Sequence, residues 1–161
     1  MLDQLKRSPI QQRKRKWAWG VLAVGTASLL WMAWFIDDWS RDFTTNTAVT
    51  DPTATNPDMQ PLVVERSPQQ LAEAVEQWVA TAPQWQLEDR QAIDEGLRLH
   101  LTRRTRLFHF TDDIHVVIIG DTKTQQSTLS VHSQSRIGKG DLGQNPRNIQ
   151  QLIQAVRKVV D

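Results

Sequence analysis

Three groups of side chains in this sequence have types and spacings that could do chemistry. Asp112 and Asp113 are adjacent carboxylates, the raw material of a general acid and base pair. Ser133, Ser135 and Arg136 lead into a loop that runs through Gly138, Lys139, Gly140, Asp141 and Gly143 to Asn145-Pro146. Glycines there permit backbone turns closed to other residues. A loop that feeds a helix N-terminus also offers free N–H groups and a favourable dipole to an anion. Four histidines, at 100, 109, 115 and 132, raise the question of a metal.

Each pattern also has a plainer use. Adjacent strand residues point to opposite faces, so Asp112 and Asp113 are badly placed to act together. Arg104 and Arg106, which share a face when extended, are their expected ion-pair partners. In the loop, Asp141 would repel an anion or take its place at the helix start, with Asn145 as the cap and Arg136 paired to Asp112 or Asp113. No Gly-Lys-Ser/Thr follows the Walker spacing, and neither serine sits in Gly-x-Ser-x-Gly. If residue 119 lies opposite 128 in a hairpin, His115 lies opposite His132, and a third ligand such as His100 needs another strand on that face. A metal site needs three or more convergent ligands. No catalytic residue, metal or cofactor is therefore expected. Asp112, Asp113, Ser133, Ser135, Arg136, Asp141 and Asn145 stand as a motif that either binds a ligand or holds the fold.

The elements that position these residues follow from periodicity. Ser67-Pro68 starts a helix as N-cap and first-turn proline, with Leu71, Val75, Trp78 and Val79 on one face and Pro83 as its stop. Trp85 and Leu87 alternate with polar neighbours as a short strand. Leu97, Leu99 and Leu101 alternate with Arg98, His100 and Thr102. Ile114 to Ile119 is apolar on both faces and predicts a central strand turning at Gly120-Asp121. Leu129, Val131 and Ser133 form the next strand. A last helix opens at Asn145-Pro146 and buries Ile149, Leu152, Ile153, Val156 and Val160. Trp78, Trp85, Phe108 and Phe110 are expected in the core. The fold class is α+β: an antiparallel sheet with two helices packed on one face, preceded by one transmembrane helix.

That helix is read from Trp17 to Ile36, an uncharged run about 30 Å long as a helix. Trp17, Trp19, Trp31, Trp34 and Trp39 fall near its two ends, where aromatic belts lie. Lys6, Arg7, Arg13, Lys14, Arg15 and Lys16 precede it, and Asp37, Asp38 and Asp42 follow. The bias places the N-terminus in the cytoplasm and the rest across the membrane, periplasmic or lumenal, in a plasma or thylakoid membrane. The run is too long for a signal peptide and lacks a small-residue cleavage site. The chain divides on this reading into a basic tail (1–16), the span (17–36), a flexible linker (37–61) rich in Thr, Asn, Asp and Pro, and a soluble domain (62–161). No cysteine occurs, which excludes disulfides and thiolate sites. Basic and acidic residues balance after Met59, so no nucleic-acid partner is expected.

Two stretches carry a resemblance. Arg104-Thr105-Arg106-Leu107-Phe108-His109-Phe110-Thr111-Asp112-Asp113 is similar to R-S-R-x-F-x-F-x-D-D. Ser133-Gln134-Ser135-Arg136-Ile137-Gly138-Lys139-Gly140-Asp141-Leu142-Gly143-Gln144-Asn145 is similar to S-x-S-R-x-G-x-x-D-x-G-x-N before a helix. Together they resemble the domain of unknown function 1499 family over roughly residues 60 to 160. The resemblance implies the fold, these motif positions and a bacterial, cyanobacterial or plastid setting, and no particular reaction. The chain departs from the family in lacking a Cys near Arg66-Ser67-Pro68, and Arg147 is displaced by one position. The expected function is a membrane-tethered, non-catalytic interaction or assembly domain whose partner is a membrane protein complex. The alternatives are a small-ligand or lipid-binding module using the 136–145 loop, and a hydrolase using Asp112, Asp141 or His132.

Overall fold

The computed structural model describes residues 17, 19–28, 45–105, 109–121, 123–137 and 143–160. The chain divides into two units, the second beginning at Asp38. In the first, residues 19–28 are helical. Thr26 Oγ1 and Ser28 Oγ donate to the carbonyls of Leu22 and Val24 at 2.9 and 2.8 Å. Among the described residues no helix is long and apolar enough to cross a membrane. Residues 29–36 of the expected span lie outside them.

The second unit is the antiparallel α+β architecture expected. Strands β1 (Thr47–Val49), β2 (Leu62–Val64), β3 (Trp85–Ile93), β4 (Gly96–Arg104), β5 (Thr111–Asp121) and β6 (Gln126–Ser135) form one sheet. Its order is β1-β6-β5-β4-β3, with β2 also on β6. Helices α1 (Pro68–Thr81) and α2 (Gln144–Val160) share one core with the inner sheet face. Period-two alternation sends Leu99, Leu101, Ile114, Val116, Ile118 and Leu129 inward, where none is exposed. Burial of each such side chain contributes about 1.5–3 kcal/mol. Helix α1 opens with a capping box, Ser67 Oγ accepting from Gln70 N and Gln70 Oε1 from Ser67 N. The β3–β4 hairpin needs Gly96, because a Cβ there would sit 1.9 Å from the Ile118 carbonyl oxygen.

Two expectations need correction. The linker read as flexible over 37–61 is ordered from Thr45 onward. Ala48 and Leu62 are buried against β6, and Thr50 exchanges bonds with Val131. Asp51 and Asn56 close local turns, and Asp58 accepts from Gln154 and Arg157 on α2. A composition poor in apolar residues resembles a tether, yet those Asx and Thr side chains are turn formers. Residues 37–44 lie outside the described set. The second correction concerns Phe110, expected in the core but 44% exposed. Phe108 lies outside the described residues.

Candidate functional site

Because β5 is fully extended, Asp112 and Asp113 face opposite sides of the sheet, and two separate clusters grow from them. On the inner side Asp112 is 1% exposed. Its Oδ1 accepts from Ser135 Oγ at 2.6 Å and its Oδ2 from Asn148 Nδ2 at 2.9 Å. Asn148 Nδ2 also reaches Ser133 Oγ at 3.1 Å, and Ser133 Oγ donates to Asn145 Oδ1 at 2.6 Å. Asn145 Nδ2 closes the ring on Ser135 Oγ at 3.1 Å and on the Asn46 carbonyl at 2.7 Å. Arg103 Nη1 and Gln144 Nε2 both donate to Asn148 Oδ1 at 2.7 Å. Ser133, Asn145 and Asn148 have no exposed surface.

The chemistry of this cluster is that of a closed ring. Ser135 already donates to a carboxylate whose second oxygen is engaged, and Ser133 faces an amide oxygen, which is no general base. Arg103 lies over the Trp85 ring, its Cζ 5.9 Å from the centroid. Burial pulls the Arg103 guanidinium below its ordinary range; Asp112 opposes that shift and Arg147 adds to it. At this edge Arg103 Nε and Trp85 Nε1 are buried with no hydrogen-bond partner among the described residues.

On the outer side Asp113 accepts from Arg136 Nε and Nη2 at 2.7 and 2.8 Å, and from His100 Nε2 at 2.8 Å. The Arg136 bonds, with a smaller part from His100, hold its carboxyl down at about 2. Register sets His100 opposite His115 and His115 opposite His132. The first pair of rings is stacked at 4.7 Å and 16°, the second at 6.2 Å and 13°. His132 is hydrogen-bonded to Thr47 Oγ1 at 2.7 Å. Burial first, then the neighbouring His100 and His132, push His115 below its ordinary value. Parallel rings aim their lone pairs side by side rather than at one point. No group of three metal-ligating side chains able to hold an ion occurs among the described residues.

Of the motif, the structure brings together Asp112, Ser133, Ser135 and Asn145, and sets Asp113 with Arg136 on the other face. A pocket walled jointly by Ser133, Ser135, Arg136 and Asn145 therefore does not form. Asp112 and His132 are likewise on opposite faces and do not meet, and Asp141 lies outside the described residues. A groove of about 580 Å³ beside this end is lined by residues that include Glu88, His100, Thr102, Arg104 and Arg136, and by none of the buried ring.

A family model described as a protein of unknown function, DUF1499, matches residues 38–156. The chain belongs to this family. No curated protein and no solved structure matches it. The match starts well ahead of residue 60, so the DUF1499 domain takes in β1 and the strap that leads to β2.

Within the DUF1499 domain three participants escaped the sequence reading. Arg103, rather than Arg104, stands opposite Asp112 on the inner face, and Arg106 lies outside the described residues. The alternation of Leu97, Leu99 and Leu101 extends to 103 and was the available signal. Asn148, one helical turn after Asn145, faces the sheet from the same side. Asn46 contributes only its backbone and left no signal. Asn145 itself was expected to cap α2. The helix instead starts at Gln144, with Arg147 N bonded to the Gly143 carbonyl and Gly143 at φ 74. That extra residue turns the Asn145 side chain into the core.

Proposed function

We propose that this DUF1499 protein is a single-pass membrane-anchored, non-catalytic interaction or assembly domain on the non-cytoplasmic side of a membrane. One observation carries the reading: the motif side chains are spent on one another. They clasp the Asn46 carbonyl, just ahead of β1, to β6 and to the first turn of α2. Among the described residues of this unit no helix covers the outer sheet face, which carries half-buried Val117 and Ile119 beside the histidines and so suits a protein partner. The anchor is supported by the uncharged run from Trp17 to Ile36 and its basic flank. The internal bonds of Thr26 and Ser28 are those a hydroxyl needs in lipid.

Native mass spectrometry of the full-length chain, released gently from its own membranes, tests this. Co-release with a larger membrane protein, lost in Val117→Glu with the melting temperature unchanged, is the expected result. A lone chain carrying a defined small adduct would overturn it in favour of a ligand module.

A further inference from the structure

On its outer face β5 presents Asp113, His115, Val117 and Ile119 in turn, all half-buried. His115 is the middle of a row of three imidazoles, level with His100 on β4 and His132 on β6. Both neighbours are tied, His100 to Asp113 at 2.8 Å and His132 to Thr47 Oγ1 at 2.7 Å. The His115 ring makes no hydrogen bond among the described residues and lies stacked between theirs. The charged groups that face it come from β4 (His100 and Arg98), β5 (Asp113) and β6 (His132). Arg136, past β6, engages both oxygens of Asp113. On β3 Asp89 stands opposite His100 and accepts from Gln91, while Glu88 accepts from Thr102. The residues that β1 and β2 bring to this face, Thr47, Val49 and Val63, do not titrate. Asp113 is thus already shared between Arg136 and His100, and among the described residues a charge on His115 has no carboxylate of its own.

We infer that partner binding on the outer sheet face is proton-linked: cover of Val117 shuts in the histidine row uncharged at His115 and His132, so the complex holds near neutral pH and lets go in acid. This rests on the interaction reading. Residues 115 and 117 are about 7 Å apart along an extended strand. A contact of ordinary size buries about 800 Å² on each partner and is roughly 30 Å across. Centred on Val117, it takes His115 out of water whether or not the imidazole adds affinity. An imidazolium shut away from water without a carboxylate is costly, and like charges on stacked neighbouring rings add to that cost. Protons bound below the ordinary 6.5 must therefore leave before the partner seats. Affinity then falls by up to about tenfold per pH unit for each proton displaced. A partner that brings its own carboxylate to the row would bind with the opposite sign.

The test uses the full chain with the membrane protein that is released alongside it, compared at about pH 7.5 and about pH 5.5. The expected result is a dissociation constant at least about tenfold higher in acid, restored when the pH is returned. The double variant His115→Gln, His132→Gln, with a melting temperature near that of the parent, should keep its partner at both pH values. Dissociation of the parent complex near pH 6 should also take up protons from a weakly buffered medium, a reading that needs no variant. Equal binding at both pH values overturns the inference, as does dissociation without proton uptake. Tighter binding in acid overturns it too and marks a partner carboxylate on the row. An acid loss that persists in the double variant places the titrating group elsewhere and is equally fatal. Val117→Glu separates the two readings. Binding that it abolishes but pH leaves unchanged keeps the interaction domain and removes the proton linkage. No co-release at either pH removes both.

Discussion

Asp112 and Asp113 are the same side chain on consecutive residues of one strand, yet the two faces of the sheet make them different objects. Inside, Asp112 shares a dry cluster with Ser133, Ser135, Asn145 and Asn148, and both its oxygens are engaged by protein donors. Outside, Asp113 holds Arg136 and His100 in contact with water. A buried polar group is expensive to leave without its partner, whereas an exposed ion pair is screened and replaced by solvent. Motif residues that look alike in sequence therefore divide into those that hold the domain together and those that present a surface.

The difference can be broken from the inside first. Asp112→Ala strands two buried donors, Ser135 Oγ and Asn148 Nδ2, at about 1–3 kcal/mol each. Urea titration should show the midpoint falling far below that of the parent chain. On the outside, Asp113→Asn should cost under about 1 kcal/mol near neutral pH. Its signature lies in acid. Because the folded carboxyl is depressed to about 2 from an ordinary 3.8, its contribution is present above 3.8 and is lost as the pH falls toward 2. Midpoints measured across that window should converge for parent and variant. The smallest effect belongs to the histidine row. His115 is held below its ordinary 6.5 by burial and by His100 and His132, with Arg98 adding and Asp113 opposing. The unfolded chain therefore takes up the proton first. Stability is full above 6.5 and declines as the pH drops below it. His115→Gln should flatten that part of the profile.

The sheet and its register were legible because alternation is a local property that tertiary structure seldom overrides. The pairing of His115 with His132 follows from the 119–128 turn alone, and the structure has that register. The opposite orientations of Asp112 and Asp113 follow equally from extended geometry, whereas the sequence left Arg136 between the two carboxylates and the structure places it on Asp113. Less was legible where distant elements decide. Nothing near residues 47–49 announces a strand: a three-residue segment with one buried alanine forms only because β6 offers a free edge. Helix α2 starts at Gln144, one residue ahead of the expected cap, with Arg147 N on the Gly143 carbonyl and Asn145 in the core. Asn148 was invisible because an asparagine within a helix reads as surface until the buried face of the sheet is known.

Ser135 and Arg136 provide the most direct test, since they are neighbours in the motif and face opposite sides. Thermal unfolding of the full chain should be measured for Ser135→Ala and for Arg136→Ala under one condition. If the inner residues are a clasp, Ser135→Ala loses several degrees and loosens the amide of Ser135 that holds Asn46, while Arg136→Ala melts close to the parent. An unchanged melt for Ser135→Ala, or a larger loss for Arg136→Ala, would contradict the clasp and return Ser133, Ser135 and Asn145 to the role of a binding site.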